Sequence, residues 1–64
     1  MLENKLKETR KKKGITQAKL SEATNISRET IAKIESGKAK TIRLTTATSI
    51  ANALGVQATD IFLI

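Results

Sequence analysis

Two helix starts eleven positions apart, with a tight turn between them and a glycine after the second helix, constrain this chain more than any other feature. In the stretch QAKLSEATNISRETIAKIESG, Ile15-Thr16 and Ile26-Ser27 each put an apolar residue before a hydroxyl. Such hydroxyls cap helices by accepting an early backbone N–H. Leu20 and Ile31 follow four residues beyond the caps, where a hydrophobic staple fixes how the chain enters the helix. Asn25 sits at the bend, and asparagine tolerates the left-handed conformation that a sharp turn needs. Gly37 suits the position just past the second helix. Residues 17–37 are therefore predicted as helix, turn, helix.

The rest of the chain extends that pattern. Proline is absent and helix formers dominate residues 1–36, so the expected fold class is all-α. The first helix is expected over residues 2–13, with Leu2, Leu6 and Thr9 on one face and Gly14 just past its end. The second covers 17–24, with Ala18, Leu20 and Ala23 available to the core, and the third covers 28–36. Residues 38–43 form a basic loop. The fourth helix starts near residue 44, where Leu44, Ala47, Ile50, Ala51 and Leu54 recur at helical spacing. Gly55 closes it, with Val56 folding back toward Ala51. A last short helix over 58–62 contributes Ile61 and Phe62.

Size and composition bound the function. The 64 residues predict one domain, 1–64, near the lower limit for a core that folds without staples. Cysteine and histidine are both absent, which removes disulfides, zinc-finger sites and Cys/His nucleophiles. No metal and no cofactor is expected. The six acids show no paired constellation, and no Ser, Thr or Lys has an evident activating partner, so an enzyme is not expected. Met1 leads into a charged segment rather than an apolar leader, and no run approaches the roughly 20 apolar residues of a membrane span. A cytoplasmic location is expected.

Charge is distributed unevenly. The net charge is +6, yet all 12 Lys and Arg lie at or before Arg43, against five of the six acids, a balance of +7 over residues 1–43. Residues 44–64 carry only Asp60. A basic two-thirds suits a polyanion, and a nearly uncharged remainder suits packing or association. Phe62 is the only aromatic residue, so the stacking platforms that hold single-stranded nucleic acid are missing.

Advancing about 100° per residue along the third helix, Ile31 and Ile34 define the buried side. Arg28, Glu29, Ala32, Lys33 and Ser36 form the opposite face, with Thr30 and Glu35 flanking the core. A rigid helix with such a face, followed by a basic loop, is suited to a DNA groove.

These residues resemble the Cro and phage-repressor (Xre-like) helix-turn-helix regulators. The resemblance rests on LKETRKKKGITQAKLSEATNISRETIAKIESGK followed by SIANALGVQATDIF, nearly the whole chain. Ser21 stands where the family usually has alanine, and Asn25 where it usually has glycine. The loop containing Thr41-Ile42 is about one residue longer than the common pattern and lacks its proline. The resemblance implies a compact five-helix domain of the lambda-repressor-like type, with the third helix in the major groove of double-stranded DNA. It implies that Gln17 contacts a phosphate and braces the recognition helix, and that Arg10 and Glu35 form an ion pair tying the first helix to the third.

Phosphate contacts are expected from Gln17, Ser36, Lys38, Lys40 and Arg43, with Arg10 in support. Base contacts are expected from Arg28 and Lys33 to guanine, from Glu29 to cytosine, and from Ala32 to a thymine methyl. Glu29 is equally suited to excluding wrong sequences or holding Arg28. Lys11, Lys12 and Lys13 spread around their helix and add long-range attraction. Ile61, Phe62, Leu63 and Ile64 cannot all face one small core, which predicts a homodimer interface there and a near-palindromic operator. The expected function is transcriptional regulation, as a repressor. The alternative is an antitoxin-like protein that binds a toxin and regulates its own operon. A sensor region outside these residues is a further possible partner.

Overall fold

The computed structural model describes residues 4–39 and 41–62 and folds them into five helices: α1 (Leu6–Lys12), α2 (Gln17–Thr24), α3 (Arg28–Ser36), α4 (Leu44–Leu54) and α5 (Ala58–Ile61). The bounds of α2, α3 and α4 coincide with those read from the sequence, because their ends are set locally. Thr16 Oγ1 accepts from the Lys19 N–H at 3.1 Å, and Ser27 Oγ accepts from the Thr30 N–H at 3.1 Å. Asn25 takes φ 60°, and its N–H closes α2 on the Ser21 carbonyl at 2.9 Å. Thr24 reinforces the bend: its hydroxyl donates to the Leu20 carbonyl at 2.7 Å and accepts from the Ile26 N–H at 3.3 Å.

Two helices end in the same way. After α3, Gly37 at φ 79° donates to Ile34 at 3.2 Å while Lys38 donates to Lys33 at 3.1 Å. After α4, Gly55 donates to Asn52 at 3.1 Å and Val56 to Ala51 at 3.0 Å. Both are Schellman endings, in which two backward hydrogen bonds satisfy carbonyls that the helix itself leaves open.

The ends of the chain depart from expectation. Residues 4 and 5 are not helical; α1 begins at Leu6, and Leu2 lies outside the described residues. Asn4 organises this start: its Oδ1 accepts from the Leu6 N–H at 3.0 Å while its Nδ2 donates to the Ile34 carbonyl at 2.7 Å. The Lys5 N–H donates to the Ile61 carbonyl at 2.7 Å, and Asn4 pairs antiparallel with Phe62. The two ends of the described residues thus meet as a scrap of β-pairing, and Phe62 is drawn out of α5 into extended backbone.

The core is Leu6, Leu20, Ile31, Ile34, Ala47, Ile50, Ala51, Leu54, Ile61 and Phe62, with Ile15 and Ile26 half-buried against it as the staples require. Three expected core residues stay outside. Ala18 and Ala23 are exposed, so α2 buries only Leu20. Leu44 is 73% exposed, since the packing that encloses Ala47 and Ala51 stops short of the first turn of α4. Conversely, Ile61 and Phe62 are 0% exposed within one chain, and they do not form the association surface expected of them. The end-to-end pairing places them in the monomer core. Leu63 and Ile64, expected beside them, lie outside the described residues.

Candidate nucleic-acid interface

Burial divides α3 cleanly. Ile31 is 0% and Ile34 3% exposed, whereas Arg28, Glu29, Thr30, Ala32, Lys33 and Ser36 all face solvent. A helix fixed by a side-chain cap at one end and a Schellman ending at the other holds that face in one orientation. Ser27 Oγ and Thr30 Oγ1 also share a hydrogen bond at 2.8 Å, which tightens the first turn.

Behind the face lies a buried polar relay. Arg10 Nε donates to Glu35 Oε2 at 2.7 Å and Nη2 to Oε1 at 3.2 Å, a bidentate pair joining α1 to α3. Arg10 Nη1 donates to the Ile15 carbonyl at 2.8 Å, which ties the same guanidinium to the turn before α2. Gln17 Nε2 donates to Glu35 Oε1 at 3.0 Å, so α2 joins the same carboxylate. The side chains of Arg10 and Glu35 are only 9% and 4% exposed. Burial by itself would raise the Glu35 carboxyl, but the hydrogen bonds from Arg10 and then Gln17, with the Arg10 charge, outweigh it and hold the group below the ordinary carboxylate value. The Glu35 hydrogen bond correspondingly raises Arg10, against the opposing effect of its burial.

This geometry corrects one assignment. Arg10 is 8% exposed with three of its N–H groups spent inside the domain, so it is a structural cation and not a phosphate ligand. The remaining phosphate candidates are distributed as follows. Gln17 is half-buried at the first position of α2; Lys38 is exposed directly after Gly37; Arg43 is exposed at the N-cap of α4. Lys40 lies outside the described residues. Ser36 is exposed, but its hydroxyl donates to the Lys33 carbonyl at 3.1 Å and accepts from the Lys38 N–H at 3.4 Å, which makes it part of the helix ending. Of the base-reading candidates, Arg28, Glu29 and Ala32 line one shallow hollow together with Gln17, and Lys33 lies outside it.

The resemblance implies that Gln17 braces the recognition helix, and its amide nitrogen donates inward to Glu35 of α3. Asn4 was not foreseen: it falls in the first turn of the helix expected over residues 2–13, yet it bonds α3 through the Ile34 carbonyl, and an Asn two residues before an apolar helical residue was the available sign.

Among the described residues no group of His, Cys, Asp or Glu is disposed to hold a metal, and no helix is long and apolar enough to cross a membrane. No curated protein matches the chain. The helix-turn-helix family does, over residues 6–61, which is the span from the first residue of α1 to the last of α5. With five helices in this order and α2 and α3 meeting at a capped turn, the chain belongs to the Cro/C1-type (Xre-like) helix-turn-helix family of DNA-binding transcription regulators.

Proposed function

We propose that this protein is a repressor that lays the outer face of α3 in the major groove of a near-palindromic operator, two copies occupying the two half-sites. The observation that supports this reading is the exposed row of Arg28, Glu29, Ala32 and Lys33 on a helix whose opposite side, Ile31 and Ile34, is locked in the core. Arg28 and Lys33 suit guanine, Glu29 the cytosine amino group and Ala32 a thymine methyl. Gln17, Lys38, Lys40 and Arg43 supply phosphate contacts, which set affinity and register without reading sequence. Two-fold operators place the recognition helices about 34 Å apart, one turn of DNA. Ile61 and Phe62 are already consumed by the monomer, so the contact between copies draws on other residues of the nearly uncharged last third of the chain.

Selection of bound duplexes from a random pool tests the reading, followed by a salt titration. Inverted repeats should emerge, and log K should fall with log salt by about 0.9 for each phosphate neutralised. Lys38→Ala should lower that slope by about one per subunit while leaving sequence preference intact. A flat salt profile would remove duplex DNA as the ligand.

A further inference from the structure

The end of α3 is held at its backbone by a side chain from the opposite end of the fold. The Ile34 carbonyl accepts from the Gly37 N–H at 3.2 Å in the Schellman ending. It accepts a second, shorter bond of 2.7 Å from Asn4 Nδ2, thirty residues away in the chain. The amide orientation is settled from both sides. Asn4 Oδ1 accepts from the Leu6 N–H at 3.0 Å, so the atom facing the Ile34 carbonyl must be the donor nitrogen. Asn4 is itself anchored. Its backbone pairs with Phe62, and the next N–H, that of Lys5, donates to the Ile61 carbonyl at 2.7 Å. Ile61 and Phe62 are fully buried, so half-buried Asn4 stands on the core and grips the last turn of α3. That turn carries part of the candidate interface. Lys33 directly precedes Ile34, and its carbonyl accepts the Lys38 N–H at 3.1 Å. Arg28 lies six residues before Ile34, about 9 Å back along the axis, beside the Ser27 cap.

We propose that Asn4 is a positioning residue for sequence readout: its bond to the Ile34 carbonyl fixes the tilt of the last turn of α3, and with it the reach of Lys33 toward a base. The assignment deepens the DNA-binding reading above and rests on it. The two ends of α3 then have separate holds. Ser27 fixes the start, which carries Arg28, and Asn4 fixes the end, which carries Lys33. Without the Asn4 bond, α3 keeps its internal hydrogen bonds but pivots about its capped start, which displaces Lys33 more than Arg28. The Arg10–Glu35 pair does not replace this hold. A flexible side chain stands between that pair and the α3 backbone, whereas Asn4 bonds the backbone itself.

The test uses the whole chain and a selected operator, with every base pair substituted at the positions that Arg28→Ala and Lys33→Ala relax. Asn4→Asp keeps the acceptor for the Leu6 N–H and replaces the donor by an oxygen that repels the Ile34 carbonyl. Discrimination is a ratio of affinities, so a smaller folded fraction and an added charge cancel from it. Asn4→Asp should lower discrimination at the Lys33 base pair by about 2- to 30-fold. Discrimination at the Arg28 base pair should stay unchanged. Added to Lys33→Ala, the substitution should cost nothing further at the Lys33 position. Unchanged discrimination at both positions, or an equal loss at both, overturns the proposal and confines Asn4 to the fold. Loss at a third base pair overturns it as well, because Asn4 would then touch DNA itself. Asn4→Ser retains a hydroxyl to accept from Leu6 on a side chain too short to span to Ile34, and it should reproduce the pattern. Should Asn4→Asp not fold, Asn4→Ser decides alone. Absence of any duplex preference in the unmodified chain would overturn both readings. Intact preference with no position relaxed by Lys33→Ala overturns only this one.

Discussion

α3 and α4 end alike and differ outside. Each stops at a left-handed glycine with the same two backward hydrogen bonds, and each buries an aliphatic stripe in the same core. Their solvent faces differ in charge. α3 presents Arg28, Glu29 and Lys33; α4 presents Leu44, Thr45, Thr48, Ser49 and Asn52, without a charge. Their starts differ too, since Ser27 caps α3 through its side chain and the N-cap of α4, Arg43, supplies no side-chain acceptor. The lesson is that the shared devices make a helix of fixed length in a fixed place, and the outer face alone decides what it meets. A further asymmetry lies beneath: α3 is roped to both α1 and α2 through Glu35, and α4 has no such tie among the described residues.

Cutting that rope should have the largest effect on stability. Glu35→Ala leaves Arg10 buried and unpaired, at a cost of about 3 kcal/mol. Arg10→Ala should cost a similar amount, and a double-mutant cycle in urea should show strong coupling. Small additive losses would mean the pair contributes little. The same pair has a pH signature. The folded Glu35 carboxyl lies below its ordinary value, so its contribution is complete above that value and is lost as pH falls through the lower, folded one. Unfolding midpoints should therefore decline on acidification below the ordinary carboxylate range, and the decline should be shallower in the Arg10→Met/Glu35→Leu variant.

Next in size is the cap. Ser27→Ala removes the acceptor for the Thr30 N–H and should cost about 1 kcal/mol. Arg43→Ala at the corresponding position of α4 should be close to neutral for stability, because no side-chain bond is lost. Equal losses at the two sites, measured by thermal unfolding, would erase the distinction between the helix starts.

What the sequence disclosed follows the range of the interactions. Both ends of α2 and α3 and the end of α4 were readable because a hydroxyl, an asparagine or a glycine marks each of them, whereas the start of α4, capped by no side chain, was legible only from its apolar spacing. Leu44 misled because periodicity reports the side of a helix and not where along its axis the neighbours stop. It shares a side with Ala51, two turns away, yet one is 73% and the other 2% exposed. Ala18 and Ala23 misled for a related reason: a small apolar residue is consistent with either surface. The closing of the chain was illegible, since Asn4 and Phe62 meet only once everything between them is folded. That pairing moved Ile61 and Phe62 into the core and cut short the first helix. At the candidate interface, the row along α3 was visible from its phase against Ile31 and Ile34. The inward amide of Gln17 and the enclosure of Arg10 depend on how three helices converge, which no local pattern encodes.

The smallest expected effect is the control on α4. Thr48 is exposed and spends its hydroxyl on the Leu44 carbonyl within its own helix, so Thr48→Ala should change stability by about 0.5 kcal/mol or less. It should also leave DNA affinity and sequence preference unaltered. A shift in preference from this substitution would mean that α4 reads bases and that charge does not separate the two helices.

The contrast between the two outer faces is tested most directly by binding to a full set of single-base operator variants. The set is measured for the unmodified chain, Arg28→Ala, Lys33→Ala and Glu29→Gln. Each alanine variant should lose about 1 to 3 kcal/mol of discrimination at its own position in each half-site and none elsewhere. Glu29→Gln should move preference at its position from cytosine toward adenine, which a glutamine amide reads. Because the three side chains lie opposite the core, the fold should persist in all of them. Uniform weakening across every operator variant, with the pattern of preference unchanged, would contradict the account: the charged face of α3 would then attract DNA without reading it.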